Sequence, residues 1–270
     1  MNKEEFISKL HENSDEPVTF QDETFEGFDI DSQNLNRANF INCIFIDMLI
    51  ISSKLERAHF KGCNFDNSEI TDCEVEGTQF ENAIFSGCTL MLSVFENCDL
   101  IDNKFNNTKF KTVNLANADL SGSEFEDCDL ENCIMFGTNL KMCQIIDTSM
   151  KNNKIGHALI TNSKFDSCEI LESDFSEVAS NSLSGCKFNR IDFRNTSFMF
   201  MDLNGVEFNN CNLLNIPFTG SSLMKTSFEG SRFGNTRFDR CRFKDTNYRD
   251  CDLENCIFDE DVDESNFVKN

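Results

Sequence analysis

Fourteen cysteines and three histidines are the side chains of this 270-residue chain best suited to hold a metal, close disulfides or supply a nucleophile and its base. Their spacing argues against all three chemistries. No CxxC pair occurs, and every cysteine falls on one phase of a five-residue period, so neighbouring cysteines point in different directions. His11, His59 and His157 are scattered, with no partner at the spacing of a Ser/His/Asp or Cys/His arrangement. No P-loop or GxGxxG is present, and the abundant carboxylate pairs lack the flanking signals of a pocket. We therefore expect a protein that is not an enzyme and that takes no cofactor or metal.

The elements that position these residues follow from the period itself. Stepping by five from Phe20 through Phe25, Ile30, Leu35 and Phe40 to Phe175, all 32 positions are apolar. The phase slips by three residues across 176–182 and resumes at Leu183 for another 16 of 16, ending at Phe258. These centres hold 24 of the 29 phenylalanines. Two residues before most centres stands a small side chain, and all 14 cysteines lie there. Two residues after it, Gly, Asn or Asp fills 32 of 48 places, the chemistry of tight or left-handed backbone. Neither 3.6 nor 2.0 fits this pattern, so the chain must turn a corner every five residues and coil on itself.

Ala38-Asn39-Phe40, Ala116-Asn117-Ala118-Asp119-Leu120 and Cys128-Asp129-Leu130 match the consensus A(D/N)LxX, and residues 20–258 resemble the pentapeptide-repeat family throughout. The resemblance implies an all-β fold, a right-handed quadrilateral β-helix with four pentapeptides per coil. The sequence supplies an independent check. The column of every fourth centre from Phe25 to Tyr248 holds Phe in 10 of 12 places, as a stacked aromatic ladder requires. Forty-eight centres give about 12 coils and a rod of about 58 Å.

Solenoid ends need caps. Residues 1–19 are expected to provide a short N-terminal capping helix over 2–13, with Asn2 and Glu5 as a capping box, followed by a linker. The first coil carries Glu23, Phe28 and Gln33 at its small sites, which predicts repacking under that helix. Residues 259–270 form an acidic tail, and 176–182 reads as a lengthened corner or a small recognition loop. The cysteines read as small buried filler in a reducing compartment. Only Cys43 and Cys63 stack on neighbouring coils, where a bridge would be strained.

Charge points outward to function. The net charge of −23 argues against direct nucleic-acid binding, and no run of apolar residues is long enough for a membrane span. A soluble cytoplasmic protein is expected. Residues 1–182 carry −20, residues 183–258 carry +1, and the tail carries −4. Four carboxylate pairs share one pair of outward sites: Glu26 with Asp29, Asp66 with Glu69, Glu126 with Asp129, and Asp166 with Glu169. They read either as a solvated face or as a phosphate-like stripe for a basic DNA-binding cleft. Qnr-type quinolone-resistance proteins of this family bind DNA gyrase as DNA mimics, so the resemblance implies a gyrase or topoisomerase partner. The alternative is a generic scaffold that contacts proteins through outward apolar groups: Met48, Leu49 and Ile51; Met91, Leu92 and Val94; Ile134 and Phe136; and Met199, Phe200 and Leu214.

Arg232, Arg237, Arg240, Arg242, Lys244 and Arg249 outweigh Asp239 and Asp245 in a collar of +4, onto which the acidic tail of the same chain or of a second copy could fold. End-to-end homodimers through this collar are expected at moderate salt, and light scattering that finds only monomer excludes them.

Overall fold

A backbone that turns every five residues needs a left-handed residue at each turn. The computed structural model describes residues 1–12, 17–171, 178, 183–194, 196–253, 255–259 and 267–268. In it, φ is positive at Asp22, Gly27, Ser32 and Arg37, and again at the same four phases in coil after coil. Gly, Asn and Asp reach this region at least cost, which explains their place two residues after each centre. Between corners the chain runs straight for three residues, with the middle one turned inward, as in Thr24–Glu26.

Strands this short hold only by pairing with the coils above and below. Thr24, Phe25 and Glu26 lie in parallel register with Ile44, Phe45 and Ile46, and the 20-residue step repeats along the rod. Three walls are sheets, beginning at Thr19–Gln21, Thr24–Glu26 and Asp29–Asp31, with four, ten and nine strands. The fourth wall is a line of single bridges from Asn34 through Lys54, Glu74, Val94, Asn114 and Ile134 to Lys154. The regular ladder makes about nine turns, fewer than the 12 coils counted from the repeats. Beyond Glu207–Asn209 the stacking continues in the same register as isolated bridges, such as Glu207 to Ser227 and Ser227 to Asn247, because tight turns shorten the straight segments there.

The interior is the predicted aromatic ladder. Phe25, Phe45, Phe65, Phe85, Phe105 and Phe125 stack with ring centroids 4.5–5.0 Å apart. Phe20, Phe40, Phe60 and Phe80 form a second column and meet the first edge-on, as in the 61° contact of Phe45 with Phe60. The small inward sites do more than fill space. Ser68 Oγ donates to the Phe45 carbonyl at 3.2 Å and accepts the Met48 N–H at 3.2 Å, so it satisfies buried backbone that the corner would otherwise orphan. Cysteine thiols donate in the same way, Cys73 to the Ile50 carbonyl at 3.3 Å. Eleven of the cysteines are buried, and Cys241, Cys251 and Cys256 near the C-terminal end are half-buried.

At the N-terminal end, helix α1 (Lys3–His11) begins with the predicted capping box between Asn2 and Glu5, worth about 1 kcal/mol. Its Phe6 is fully buried, 4.9 Å above Phe20 and edge-on to Phe25. Phe28 leans against the same ring at 6.0 Å, the repacking that its large side chain at a small site foretells. At the other end, Phe267–Val268 pairs in parallel with Thr246–Asn247. The coil between Phe165 and Phe188 is three residues longer than its neighbours, yet the two rings stack at 5.0 Å. The loop reading of 176–182 lies outside the described residues apart from Val178, which is buried.

Candidate protein-interaction surface

The four predicted acidic pairs flank one corner, between the second and third walls. Glu26, Asp66, Glu126 and Asp166 end strands of the second wall, and Asp29, Glu69, Asp129 and Glu169 begin strands of the third. Register places them two or three rungs apart, about 10 to 14 Å.

The structure does not make them equivalent. Glu26, Asp29, Glu126 and Asp129 are exposed, whereas Asp66 and Glu69 are half-buried and Glu69 accepts from Thr71 Oγ1 at 2.6 Å. Asp166 is only 14% exposed and is held by Arg190 at 2.6 Å and Lys164 at 3.6 Å. Cross-rung lysines crowd the third pair as well: Lys109 is in register with Asp129, and Lys104 pairs with the adjacent Glu124 at 2.8 Å.

A second edge, diagonally opposite, carries a ladder that pair-counting overlooks. Glu56, Glu76 and Glu96 occupy one outward site on three successive coils, at single-rung spacing of about 4.8 Å. Asp99 and Asp119 continue it across the corner into the first wall. Among the described residues no ion pair reaches these five, whose carboxylates instead accept from neutral neighbours such as Asn36, Asn97, Asn114 and Asn139.

Between Lys61 and Lys104 the chain has nine carboxylates and no lysine or arginine. Glu74 pairs with Lys54 at 3.4 Å and Glu81 with Lys61 at 3.0 Å, and the other seven, spread over two coils, give one charge per about 1.4 Å of rod, against about 1.7 Å in duplex DNA. Two shallow polar hollows of about 240 and 370 Å³ lie along this edge. Arg37 and Arg57 line the first with Glu56 and Glu76, and His59, Glu81, Asp99 and Asp102 line the second.

The histidines are not brought together. His59 Nε2 stands 3.4 Å from Glu81, whose carboxyl is held below its usual range chiefly by its hydrogen bond from Lys61. His157 meets Phe136 edge-on at 4.8 Å, and His11 closes helix α1.

The outward apolar groups are only partly exposed: Leu49, Ile51, Met91 and Met199 are half-buried, and Met48 does not face outward. Met48 is fully buried, because it stands two residues before the centre Ile50 and so occupies a small inward site. Leu92, Val94, Ile134, Phe136, Phe200 and Leu214 are exposed, and Ile44, Ile84, Ile101, Met142 and Ile257 join them. The three barest, Phe200 at 71%, Met142 at 62% and Leu92 at 54%, all stand at left-handed corners. A bulky side chain is strained there and gains no burial, so the fold does not account for these residues.

The collar is partly neutralised within the chain. Arg237 Nε bonds Asp239 at 3.0 Å and holds its carboxyl below the usual range, and Arg249 pairs with Glu229 at 3.6 Å. Arg232, Arg240, Arg242 and Lys244 are exposed.

Comparison with known families agrees with the repeat geometry. A pentapeptide repeat region is matched over residues 53–132, pentapeptide repeats (8 copies) over 114–152 and 182–215, and pentapeptide repeats (9 copies) over 203–257. The chain belongs to the pentapeptide-repeat family. Among curated proteins none matches this pentapeptide-repeat chain.

Solved structures similar to it include HetL, a pentapeptide-repeat protein involved in heterocyst differentiation regulation from the cyanobacterium Nostoc sp. strain PCC 7120. It is 13% identical over 97% of this chain and 99% of that one, with a TM-score of 0.47. Trypsin-treated QnrB1, a plasmid-mediated fluoroquinolone resistance protein, is 19% identical over 62% of this chain and 87% of its own, with a TM-score of 0.38. Rfr23 from the cyanobacterium Cyanothece 51142 is 12% identical over 53% and 91%, with a TM-score of 0.17. No helix among the described residues of the pentapeptide-repeat chain is long and apolar enough to cross a membrane.

Proposed function

We propose that this pentapeptide-repeat rod is a non-enzymatic protein-binding module. Its acidic edges stand in for the phosphates of duplex DNA in the basic cleft of DNA gyrase or a related topoisomerase. The observation that carries the reading is the run of nine carboxylates over two coils, of which, among the described residues, only Glu74 and Glu81 are paired with a lysine, together with the single-rung alignment of Glu56, Glu76 and Glu96 on a rigid frame. A solubilising surface needs charge but no alignment. An imitator of DNA needs a line of negative charge at a density comparable to the polymer's. The diagonally opposite stripe of Glu26, Asp29, Asp66, Glu69, Glu126 and Asp129 would offer a second, sparser line.

A second reading rests on Phe200, Met142 and Leu92, whose exposure at strained corners suits contacts in an apolar partner groove. Salt separates the two, since acidic docking weakens with ionic strength and apolar docking does not. Supercoiling by purified gyrase is expected to fall with added protein at low salt and to recover at high salt, and quinolone-stabilised cleavage is expected to be relieved. Gyrase unaffected by micromolar protein at low salt excludes the DNA-mimic reading.

A further inference from the structure

Residues 20 positions apart stand directly over one another inside the rod, and at one place only do two cysteines meet in this way: Cys43 and Cys63. Register is fixed on both sides of them, with Ile41 opposite Lys61 and Ile44 opposite Asn64. Their Cα atoms are therefore about one strand spacing apart, roughly 4.8 Å, within the ~4.4–6.8 Å that a disulfide spans. Both side chains are fully buried. Each also reaches a carbonyl of the coil below, Cys43 that of Phe20 at 3.5 Å and Cys63 that of Phe40 at 3.4 Å. Other cysteines that share a column, such as Cys88 and Cys128, are two or more rungs apart, at least about 9.6 Å, and cannot bridge.

Electrostatics and a place near the end of the rod set this pair apart as well. The closeness of the two thiols holds Cys43 down, at about 7, and pushes Cys63 up. Burial pushes the solitary thiols up instead, Cys88 and Cys128 to about 11 and Cys98 and Cys143 to about 12, which leaves them unreactive. One rung below Cys43 the column holds Glu23 where later coils hold small residues, and that side chain is 32% exposed. Cys43 and Cys63 are themselves fully buried, so a small oxidant reaches them when this end coil opens.

We infer that Cys43 and Cys63 form a peroxide-oxidisable pair that closes into a disulfide and staples the second coil to the third. The Cys43 thiolate attacks hydrogen peroxide, breaking the O–O bond to give a sulfenic acid and hydroxide. The Cys63 sulfur then displaces the sulfenic oxygen, which leaves as hydroxide and takes up the Cys63 proton. The hydroxide of the first step takes up the proton that Cys43 lost on ionising, so in sum two thiols are oxidised, one peroxide is reduced, and two waters form. A bridge between adjacent parallel strands is strained, so a thiol reductant should reopen it.

The test treats the folded full-length chain with hydrogen peroxide, quenches with acid, alkylates and maps peptides. A single Cys43–Cys63 cross-link is expected, with loss of two of the 14 alkylatable thiols and recovery of both with dithiothreitol. In Cys63→Ser the sulfenic acid persists and a dimedone adduct is expected on Cys43. Serine already occupies this column at Ser123 and Ser163, so the variant keeps the packing. Cys63→Ala is the second variant: the column already accommodates alanine one coil further on, at Ala83, and with no neighbouring side chain to favour the Cys43 thiolate both the cross-link and the Cys43 adduct are expected to be lost. Retention of all 14 thiols, or oxidation falling first on the half-buried Cys241, Cys251 or Cys256, overturns the inference.

Discussion

Phe65→Ala is expected to lower the stability of the rod by about 3–5 kcal/mol, read from urea denaturation followed by circular dichroism. Phe65 is fully buried between Phe45 at 4.5 Å and Phe85 at 4.7 Å, with rings within 7° of parallel. Its coil cannot relax into the cavity, because the register with the strands above and below holds the walls apart. The full cost of the lost contacts and of the void should therefore appear. Phe258→Ala is the control. That ring is half-buried and stacks on Phe238 at 5.0 Å near the end of the rod, so less than half the effect is expected. Equal losses at the two sites would mean that stability is not passed from coil to coil as neighbour contacts.

Glu76→Lys is expected to move stability and binding in opposite directions. Glu76 lies between Glu56 and Glu96 on the acidic ladder, where like charges one rung apart repel. A lysine there turns two repulsions into attractions, and the melting temperature should rise by about 1–2 °C at low salt. On the DNA-mimic reading the same change places a cation in the middle of the docking edge. Gyrase inhibition should weaken by about tenfold or more at low salt, with the difference shrinking as salt is added. A stabilised variant that inhibits as well as the parent moves the contact away from this edge.

The walls, the inward sites and the Phe25 column were legible because a period of five leaves its mark on every residue, and burial enforces that mark. What escaped the sequence did so for identifiable reasons. Met48 was grouped with its apolar neighbours, although its phase places it inside. The ladder of Glu56, Glu76 and Glu96 uses one site per coil and so is invisible to a search for pairs around a corner. Asp166 is neutralised by Arg190, which lies beyond the lengthened coil, where a step of 20 no longer finds the neighbour. The coil count ran high because apolar centres persist to Phe258 after the straight segments have shortened to single bridges.

Three extra residues enter the perimeter of the lengthened coil between Phe165 and Phe188, and the stacking above them resumes without a shift. Perimeter and pitch are thus independent, and the rod behaves as a ruler whose graduations are set by backbone pairing alone. Whole coils can be gained or lost in steps of about 4.8 Å while each remaining coil keeps the contacts of its neighbours. A corner, meanwhile, can grow an insertion without disturbing any graduation. A molecule built this way can match its length to a partner and elaborate its contacts by separate changes, neither of which disturbs the core.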